Sequence, residues 1–251
     1  MRTVVIAGGT RGIGGALAGR LRRAGDRVLA LGSADADLTS IRQTAALVSR
    51  LPDKIDVLVL AAGRFDRRRI VTDEGLEQTF AIGVLSRYLL AELLRPALDR
   101  AAEAIVLNLS GTGGIPAGHI HWDDLQLSRG YSLFNATMQG ARANDLLGVG
   151  FAAHDPHSRI RYVLYNPLFV NSGMHRQFTQ PTRALVGAAA AVFGASTDAT
   201  AERLATLLAQ PPTAPLTALR RGRPVPLTRP EFDHRAAARL YSRLAELAAP
   251  D

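Results

Sequence analysis

Short apolar runs alternate along the chain with longer segments whose apolar residues recur at helical spacing. Five runs have the length and near-continuous apolar character of buried strands: residues 3–7, 27–31, 55–60, 104–109 and 160–165. Strands that are apolar throughout are typical of a parallel sheet with helices on both faces, because neither face of such a sheet meets water. The pattern therefore predicts an α/β fold, a doubly wound parallel sheet of Rossmann type in three layers, as a single domain over residues 1–251.

Helical patterns fill the gaps between these runs, over residues 14–24, 40–51, 75–97 and 134–153. Only residues 32–39 separate the second strand from the next helix. A further helix and strand commonly occupy this place in open α/β sheets. We therefore expect the sheet to be reduced at this edge.

Composition excludes several classes of function. The net charge is +8, but the arginines are scattered and no aromatic residues are interleaved with them, so we expect no nucleic-acid partner. The longest apolar run, residues 184–195, is shorter than the ~20 residues of a membrane-spanning helix. Without cysteine there are no disulfides or sulfur-ligated metals, and the histidines lack a zinc-site spacing, so no metal is expected. The first strand begins almost at once, which favours a cytoplasmic protein without a signal segment.

A glycine-rich turn follows the first strand and opens a helix. Glycines at this spacing let backbone N–H groups approach a diphosphate at the positive end of the helix. A turn that binds nothing is the alternative. The expected phosphate-binding residues are Gly8, Thr10, Arg11, Gly12, Ile13 and Gly14.

The spacing of these glycines resembles that of the short-chain dehydrogenase/reductase family, and the resemblance extends over nearly the whole chain. Segments 73–77, 122–125 and 235–247 are most similar to its retinol-dehydrogenase-like members. The resemblance implies a nicotinamide cofactor, bulky apolar alcohols or ketones as small-molecule substrates, and a homodimer or homotetramer formed through the two long helices. By the same resemblance, further cofactor contacts fall on Asp37, Leu38, Ala61, Ala62, Gly63, Pro167 and Ser172.

The end of the second strand bears on cofactor preference. NAD sites usually place a carboxylate there, whereas NADP sites need a cation or a hydroxyl group. Gly32 and Ser33 supply no carboxylate, and Arg11 lies within reach of a 2′-phosphate. NADP(H) is therefore favoured, while Asp35 keeps NAD(H) open.

The catalytic residues implied by the resemblance are all missing. The family uses an Asn, a Ser, a Tyr and a Lys, and the matching positions here are Gly83, Gly111, Thr137 and Ala141. Lys54, the only lysine, precedes a strand at the opposite edge of the sheet from where ligands bind. Arg142 is turned about 100° from Ala141 around the helix and is a poor substitute.

Five weaker candidates for the chemistry remain, each with a structural alternative. Tyr131 is either a displaced acid or a packed loop aromatic, and Tyr165 and Asn166 either line the site or fill the core. Thr112 either orients a carbonyl or caps a turn. Thr137 suits a pocket wall better than an acid, because an unassisted hydroxyl is weakly acidic.

Three functions stay open on this evidence. The first is an NADP(H)-dependent oxidoreductase with an unusual proton donor, acting on a medium-sized apolar substrate. The second is a non-redox biosynthetic enzyme, such as a cyclase, dehydratase or isomerase, and the third is a non-catalytic nucleotide-binding protein. Residues 174–210 are expected to include a substrate lid, with an ordinary helix pair as the alternative.

Overall fold

The computed structural model describes residues 1–110, 118–168 and 196–249. Their strands form one seven-stranded sheet in the order β2-β1-β3-β4-β5-β6-β7, in which all neighbours are parallel except β6 and β7. The strands are β1 (Thr3–Ala7), β2 (Arg27–Leu31), β3 (Val57–Leu60), β4 (Ile105–Leu109), β5 (Arg161–Asn166), β6 (Leu216–Arg220) and β7 (Arg223–Pro224). This confirms the predicted doubly wound α/β fold.

Helices cover both faces of the sheet. The helices α1 (Gly12–Arg23) and α7 (Thr197–Ala209) pack together on one face. The opposite face carries α2 (Ile41–Val48), α3 (Gln78–Phe80), α4 (Ser86–Leu93), α5 (Arg95–Asp99) and α6 (Leu133–His154), and α8 (His234–Ala248) packs on α6.

The core consists of two apolar clusters, one on each face of the sheet. Successive residues of a strand point to opposite faces. In β3, Val57 and Val59 belong to the cluster under α1 and α7, whereas Leu58 and Leu60 belong to the cluster under α4 and α6. All four are buried, which explains why the strand is apolar at every position.

The predicted reduction of one sheet edge is confirmed within the described residues. β2 is the terminal strand, and residues 32–40 lead directly into α2. The strands β6 and β7 were not predicted, because only two of the five residues of β6 are buried and the two residues of β7 are exposed.

The predicted helix over residues 75–97 is interrupted. It starts at Gln78, where the Glu77 side chain accepts hydrogen bonds from the amides of Thr79 and Phe80. A π-helical turn (Ala81–Leu85) joins α3 to α4. The helix ends at Leu93 because Pro96 follows in the first turn of α5, and proline has no N–H to continue the hydrogen-bond ladder.

The expected lid region is described only in its later part. Residues 174–195 lie outside the described residues. The later part of the region forms α7, which buries Ala201, Leu204 and Leu208 and packs along α1. Residues 197–209 therefore belong to the layer of helices that covers the sheet, and a lid over the preceding residues stays a prediction.

Candidate functional site

The carboxyl ends of the parallel strands meet along one edge of the sheet, where the glycine-rich turn after β1 lies. Gly8 has φ +83°, and its N–H donates to Leu31 O at 3.0 Å. A Cβ on Gly8 would stand 2.6 Å from Ala62 N, and a Cβ on Gly14 would collide with Gly8 O. Only glycine fits at these two positions, because the turn packs against the end of β3 and the first turn of α1.

Gly12 differs from these two glycines because its surroundings are open. It has φ +59°, yet a Cβ placed there would meet no atom of the described residues within 4 Å outside its own turn of helix. The side chain of the N-cap residue Arg11 does not cap the helix, and the first turn of α1 contains no acidic residue. The first N–H groups of a helix need acceptors and favour anions. The turn therefore combines backbone donors with free space, which fits a diphosphate.

Thr10 and Ile13 complete the turn in different ways. Ile13 packs against the apolar cluster under α1. Thr10 fills the space over Gly32, where a Cβ would lie 2.7 Å from Thr10 Oγ1. Thr10 therefore fixes the distance between the glycine turn and the end of β2.

The end of β2 presents a hydroxyl group and a carboxylate that is already engaged. Ser33 is exposed, and so is Arg11 in the glycine-rich turn. Asp35 Oδ2 accepts a hydrogen bond from Gly32 N at 2.7 Å. The carboxylate thus closes the turn after β2.

Asp37 and Leu38 lie in the turn before α2. Asp37 Oδ1 accepts from Thr39 N at 2.9 Å and from Thr39 Oγ1 at 2.8 Å. Leu38 packs against the core under α2. The exposed Asp37 therefore shapes the turn through one of its oxygens, beside the terminal strand.

The other expected cofactor contacts follow β3 and β5. Ala61 N donates to Ala7 O at 2.8 Å, and the chain then continues through Ala62 to the exposed Gly63. Pro167, after β5, is half-buried. Ser172 lies outside the described residues, as does the catalytic candidate Thr112.

Leu168 carries backbone strain at the end of β5. Its φ is +57°, a left-handed conformation that is unfavourable for leucine. Asn166, which is buried, holds it there, because Asn166 Oδ1 accepts from Leu168 N at 2.7 Å. Such strain collects at functional sites, and glycine would relieve it.

Tyr131 connects two loops. Its hydroxyl donates to Asp66 O at 2.7 Å and lies 3.3 Å from Thr79 Oγ1. Burial raises the pKa of Tyr131 above its ordinary value. The phenol is therefore a poorer acid than a free tyrosine, and it ties the loop after β3 to the loop before α6.

Tyr165 and Thr137 lie on opposite faces of the sheet. Tyr165 is 2% exposed within the cluster under α1 and α7, and burial raises its pKa. Thr137, on α6, donates its hydroxyl to Leu133 O at 2.6 Å. The structure does not bring these two candidates together.

The positions that the resemblance matches to the family's catalytic residues are partly described. Gly83 lies in the π-helical turn, and its carbonyl accepts from Asn144 Nδ2 at 2.9 Å. Lys54 is exposed just before β3, at the amino edge of the sheet. Arg142 donates to Gly118 O at 3.2 Å and lies 3.8 Å from Asp145. It is therefore engaged elsewhere, as its rotation around α6 predicted.

A buried polar cluster under this edge was missed by the sequence analysis. It consists of Arg87, Asn108, Asn144 and Tyr162. Asn108 Nδ2 donates to Asn144 Oδ1 at 2.8 Å and to Tyr162 Oη at 2.9 Å, and Arg87 donates to Asn108 Oδ1. One sequence signal was available, since Arg87 shares a helical face with the buried residues Phe80, Val84 and Ala91.

Two further properties concern the described residues alone. They contain no group of three or more His, Asp or Glu side chains that could hold a metal ion. Among them, no helix is both long and apolar enough to cross a bilayer.

Comparisons with known proteins give partial and full-length similarities. No protein-family model matches the chain. Human "Retinol dehydrogenase 13" is 36% identical over 90 residues, which cover 36% of this chain and only 27% of that protein. The Streptomyces protein named "Putative daunorubicin C-13 ketoreductase DnrU" is 30% identical over 211 residues, which cover 66% of this chain and 72% of that protein.

Solved structures share the fold at lower identity. A 3-alpha-hydroxysteroid dehydrogenase from Pseudomonas sp. B-0831, complexed with NADH, superposes with a TM-score of 0.65 at 22% identity, over 88% of this chain and 96% of that one. The angucycline C-6 ketoreductase LanV, with bound NADP, superposes with a TM-score of 0.64 at 19% identity, over 88% and 95%.

Proposed function

Because the chain belongs to the short-chain dehydrogenase/reductase family, we propose that it binds NADP(H) in the turn between β1 and α1 and acts on a medium-sized apolar carbonyl or alcohol. The open space at Gly12 carries this proposal. Gly12 has φ +59°, a Cβ built on it would meet no other part of the described chain within 4 Å, and the N–H groups beside it have no side-chain cap, as an incoming diphosphate requires. A bound nicotinamide would supply the hydride, and the protein would supply binding, orientation and electrostatics.

The preference for NADP(H) rests on the end of β2. The Asp35 carboxylate is engaged by Gly32 N, while Ser33 and the guanidinium of Arg11 are exposed. A hydroxyl group and a cation suit a 2′-phosphate, whereas a free carboxylate would suit a ribose diol. The solved neighbours include both NADH and NADP complexes. The local chemistry, and not the neighbours, therefore supports NADP(H).

An apolar substrate is supported by the two relatives, one named a retinol dehydrogenase and the other a daunorubicin ketoreductase. In this proposal the proton comes from a group other than the usual tyrosine, since position 137 is threonine. Among the described candidates, Tyr131 is the less buried of the two phenols, but its hydroxyl donates a hydrogen bond to Asp66 O.

That hydrogen bond favours a second candidate function, in which the protein binds the nucleotide but transfers no hydride. Such a protein would catalyse a cyclisation, dehydration or isomerisation, or would act without catalysis. Its supporting observation is that Tyr131 and Tyr165 are both engaged or buried, with raised pKa values. A phenol donates a proton efficiently only when its pKa lies closer to the working pH.

Titration calorimetry on the full chain tests the proposed binding site. We expect NADPH to bind more tightly than NADH, and Gly12→Ala to weaken NADPH binding by about tenfold or more, because the new methyl group takes diphosphate space. The matched control is Gly25→Ala. Gly25 also has positive φ, +90°, and open surroundings, but it lies beyond the other end of α1. Both variants suffer similar backbone strain, and only the first should lose affinity.

Absence of binding by either nucleotide at millimolar concentration would refute the proposal. Where NADPH binds, its absorbance separates the two functions. Consumption with a panel of apolar ketones supports the reductase, and tight binding without consumption supports the second candidate.

A further inference from the structure

A single buried arginine joins the ends of two central strands. Arg87 Nη2 donates to Ala62 O at 2.8 Å, and Arg87 Nη1 donates to Leu109 O at 2.8 Å. Ala62 follows β3, and Leu109 is the last residue of β4. The guanidinium thus sets the spacing of two chain segments at the edge of the sheet where the dinucleotide is proposed to bind.

The same contact reaches the glycine turn through one residue. Gly8 packs so closely on the segment after β3 that a Cβ would stand 2.6 Å from Ala62 N. A shift of Ala62 therefore displaces Gly8, because the two backbones have no slack between them. Arg87 is linked to the proposed diphosphate site by one carbonyl group and one packing contact.

The charge of Arg87 has no carboxylate partner among the described residues. Its hydrogen-bond acceptors are neutral oxygens of Ala62, Leu109, Asn108 and Asn144. The side chain is buried, and its Nε has no acceptor in the part of the chain that the structure describes. Burial lowers the pKa of Arg87 to about 10, so the group remains a cation at neutral pH.

An unpaired cation in a protein interior is costly, and an apolar side chain would fill the same space without that cost. A group whose burial opposes folding needs another reason to be present. In the interior its attraction for an anion is screened less than in water. The diphosphate and the oxygen that gains negative charge during hydride addition are such anions.

We propose that Arg87 is a positioning residue of the dinucleotide site: it holds Ala62 and Leu109 in place for the cofactor and supplies the buried positive charge that the position of Ala141 lacks. The inference rests on the proposed function. The role needs the planar guanidinium, whose two outer nitrogens reach two carbonyls at once, whereas a lysine ammonium reaches one.

The test compares NADPH affinity with thermal stability in three variants. Arg87→Met removes the charge and both hydrogen bonds, and we expect the Kd for NADPH to rise more than tenfold. Arg87→Lys keeps the charge but loses one carbonyl, and we expect at least a fivefold rise. The control is Arg95→Met. Arg95 is also largely buried, pairs with Glu92 and stacks on Phe151, but lies away from the strand ends. Its loss should lower the melting temperature and leave the Kd within twofold.

The outcomes separate the two proposals. A wild-type protein that binds no NADPH overturns the proposed function. A wild-type protein that binds, together with folded Arg87 variants whose Kd stays within twofold, overturns only the role of Arg87. Should Arg87→Met fail to fold, the Kd of Arg87→Lys decides by the same criterion. Its melting temperature is compared with that of Arg95→Met, which separates a loss of stability from a loss of binding.

Discussion

At the scale of single residues, the Glu74 side chain stabilises the start of α2 from a distant loop. Glu74 Oε1 accepts from Ser40 Oγ at 2.6 Å, and Oε2 accepts from Ile41 N at 2.6 Å. It thus caps α2 from the loop before α3, where the helix dipole also favours negative charge. Burial acts to raise the pKa of Glu74, but these hydrogen bonds outweigh it and the pKa is lowered.

We predict that Glu74→Gln reduces the free energy of unfolding by about 1–2 kcal/mol at pH 7. Because the pKa of Glu74 is lower in the folded state, its stabilisation is complete above the unfolded value and disappears as the pH falls through the folded one. Urea unfolding from pH 7 down to pH 3 should show the two proteins converge. Glu202→Gln, at an exposed pair with Arg20, is the control and should change stability little. A difference independent of pH would contradict the assignment.

Single residues also mark what the sequence can predict. The glycine turn is predictable because its spacing and its position after a strand are local properties of the chain. Arg87 is not, because Ala62 and Leu109 become its neighbours only when the sheet forms. Tyr131 is similar, since its acceptor Asp66 lies in a distant loop. Roles set by long-range contacts escape local pattern reading.

At the scale of elements, the contact between α6 and α8 depends on one glycine. A Cβ on Gly150 would collide with the ring of Tyr241. That ring packs edge-on against Tyr88, 5.1 Å between centroids, and its hydroxyl lies 3.3 Å from Glu92 Oε1 and from Leu147 O. The absence of a side chain at Gly150 thus leaves room for the Tyr241 ring, through which α8 packs on α6.

We predict opposite effects for two glycines of α6. Gly150→Ala should destabilise the protein by roughly 1–3 kcal/mol, because the methyl group overpacks against Tyr241. Gly140→Ala should be neutral or stabilising by up to about 1 kcal/mol, because its surroundings are open and alanine favours helix. Urea unfolding measures both. Equal effects would show that helix propensity, and not the docking of α8, controls the response.

Elements were predicted best where periodicity alone decides. The predicted strands match β1 to β5 within two residues, because strands buried on both faces are apolar throughout. The break between α3 and α4 was not predicted, since a π-helical turn leaves the apolar spacing nearly unchanged. The docking of α8 depends on Gly150, and a glycine within a helical pattern gives no sign of its partner.

At the scale of the whole molecule, α8 changes the expectation about assembly. The sequence predicted an oligomer through the long helices, including α6. In the structure, all residues from 143 to 151 of α6 are buried within one chain, between the sheet and α8. This part of α6 has no surface left for a second copy.

We therefore predict that any dimer or tetramer of this protein forms through a surface other than residues 143–151 of α6. Light scattering after gel filtration reports the number of chains as a multiple of the mass of one chain, 26.8 kDa. Gly150→Ala, which weakens the docking of α8, should shift the mass upward by freeing apolar surface of α6. A variant that keeps the wild-type mass although α8 is loosened would contradict this role of α8.

Because β2 is the terminal strand, the sheet can be extended at this edge. No strand of the described residues pairs with the outer edge of β2, and the charged Arg27 at its start discourages another molecule from doing so. An insertion into residues 32–39 that supplied a strand and a helix would widen the sheet without altering the pairing of β1 with β2. A wider version of this sheet therefore needs only one insertion in the chain, and the pairing of the other strands stays the same.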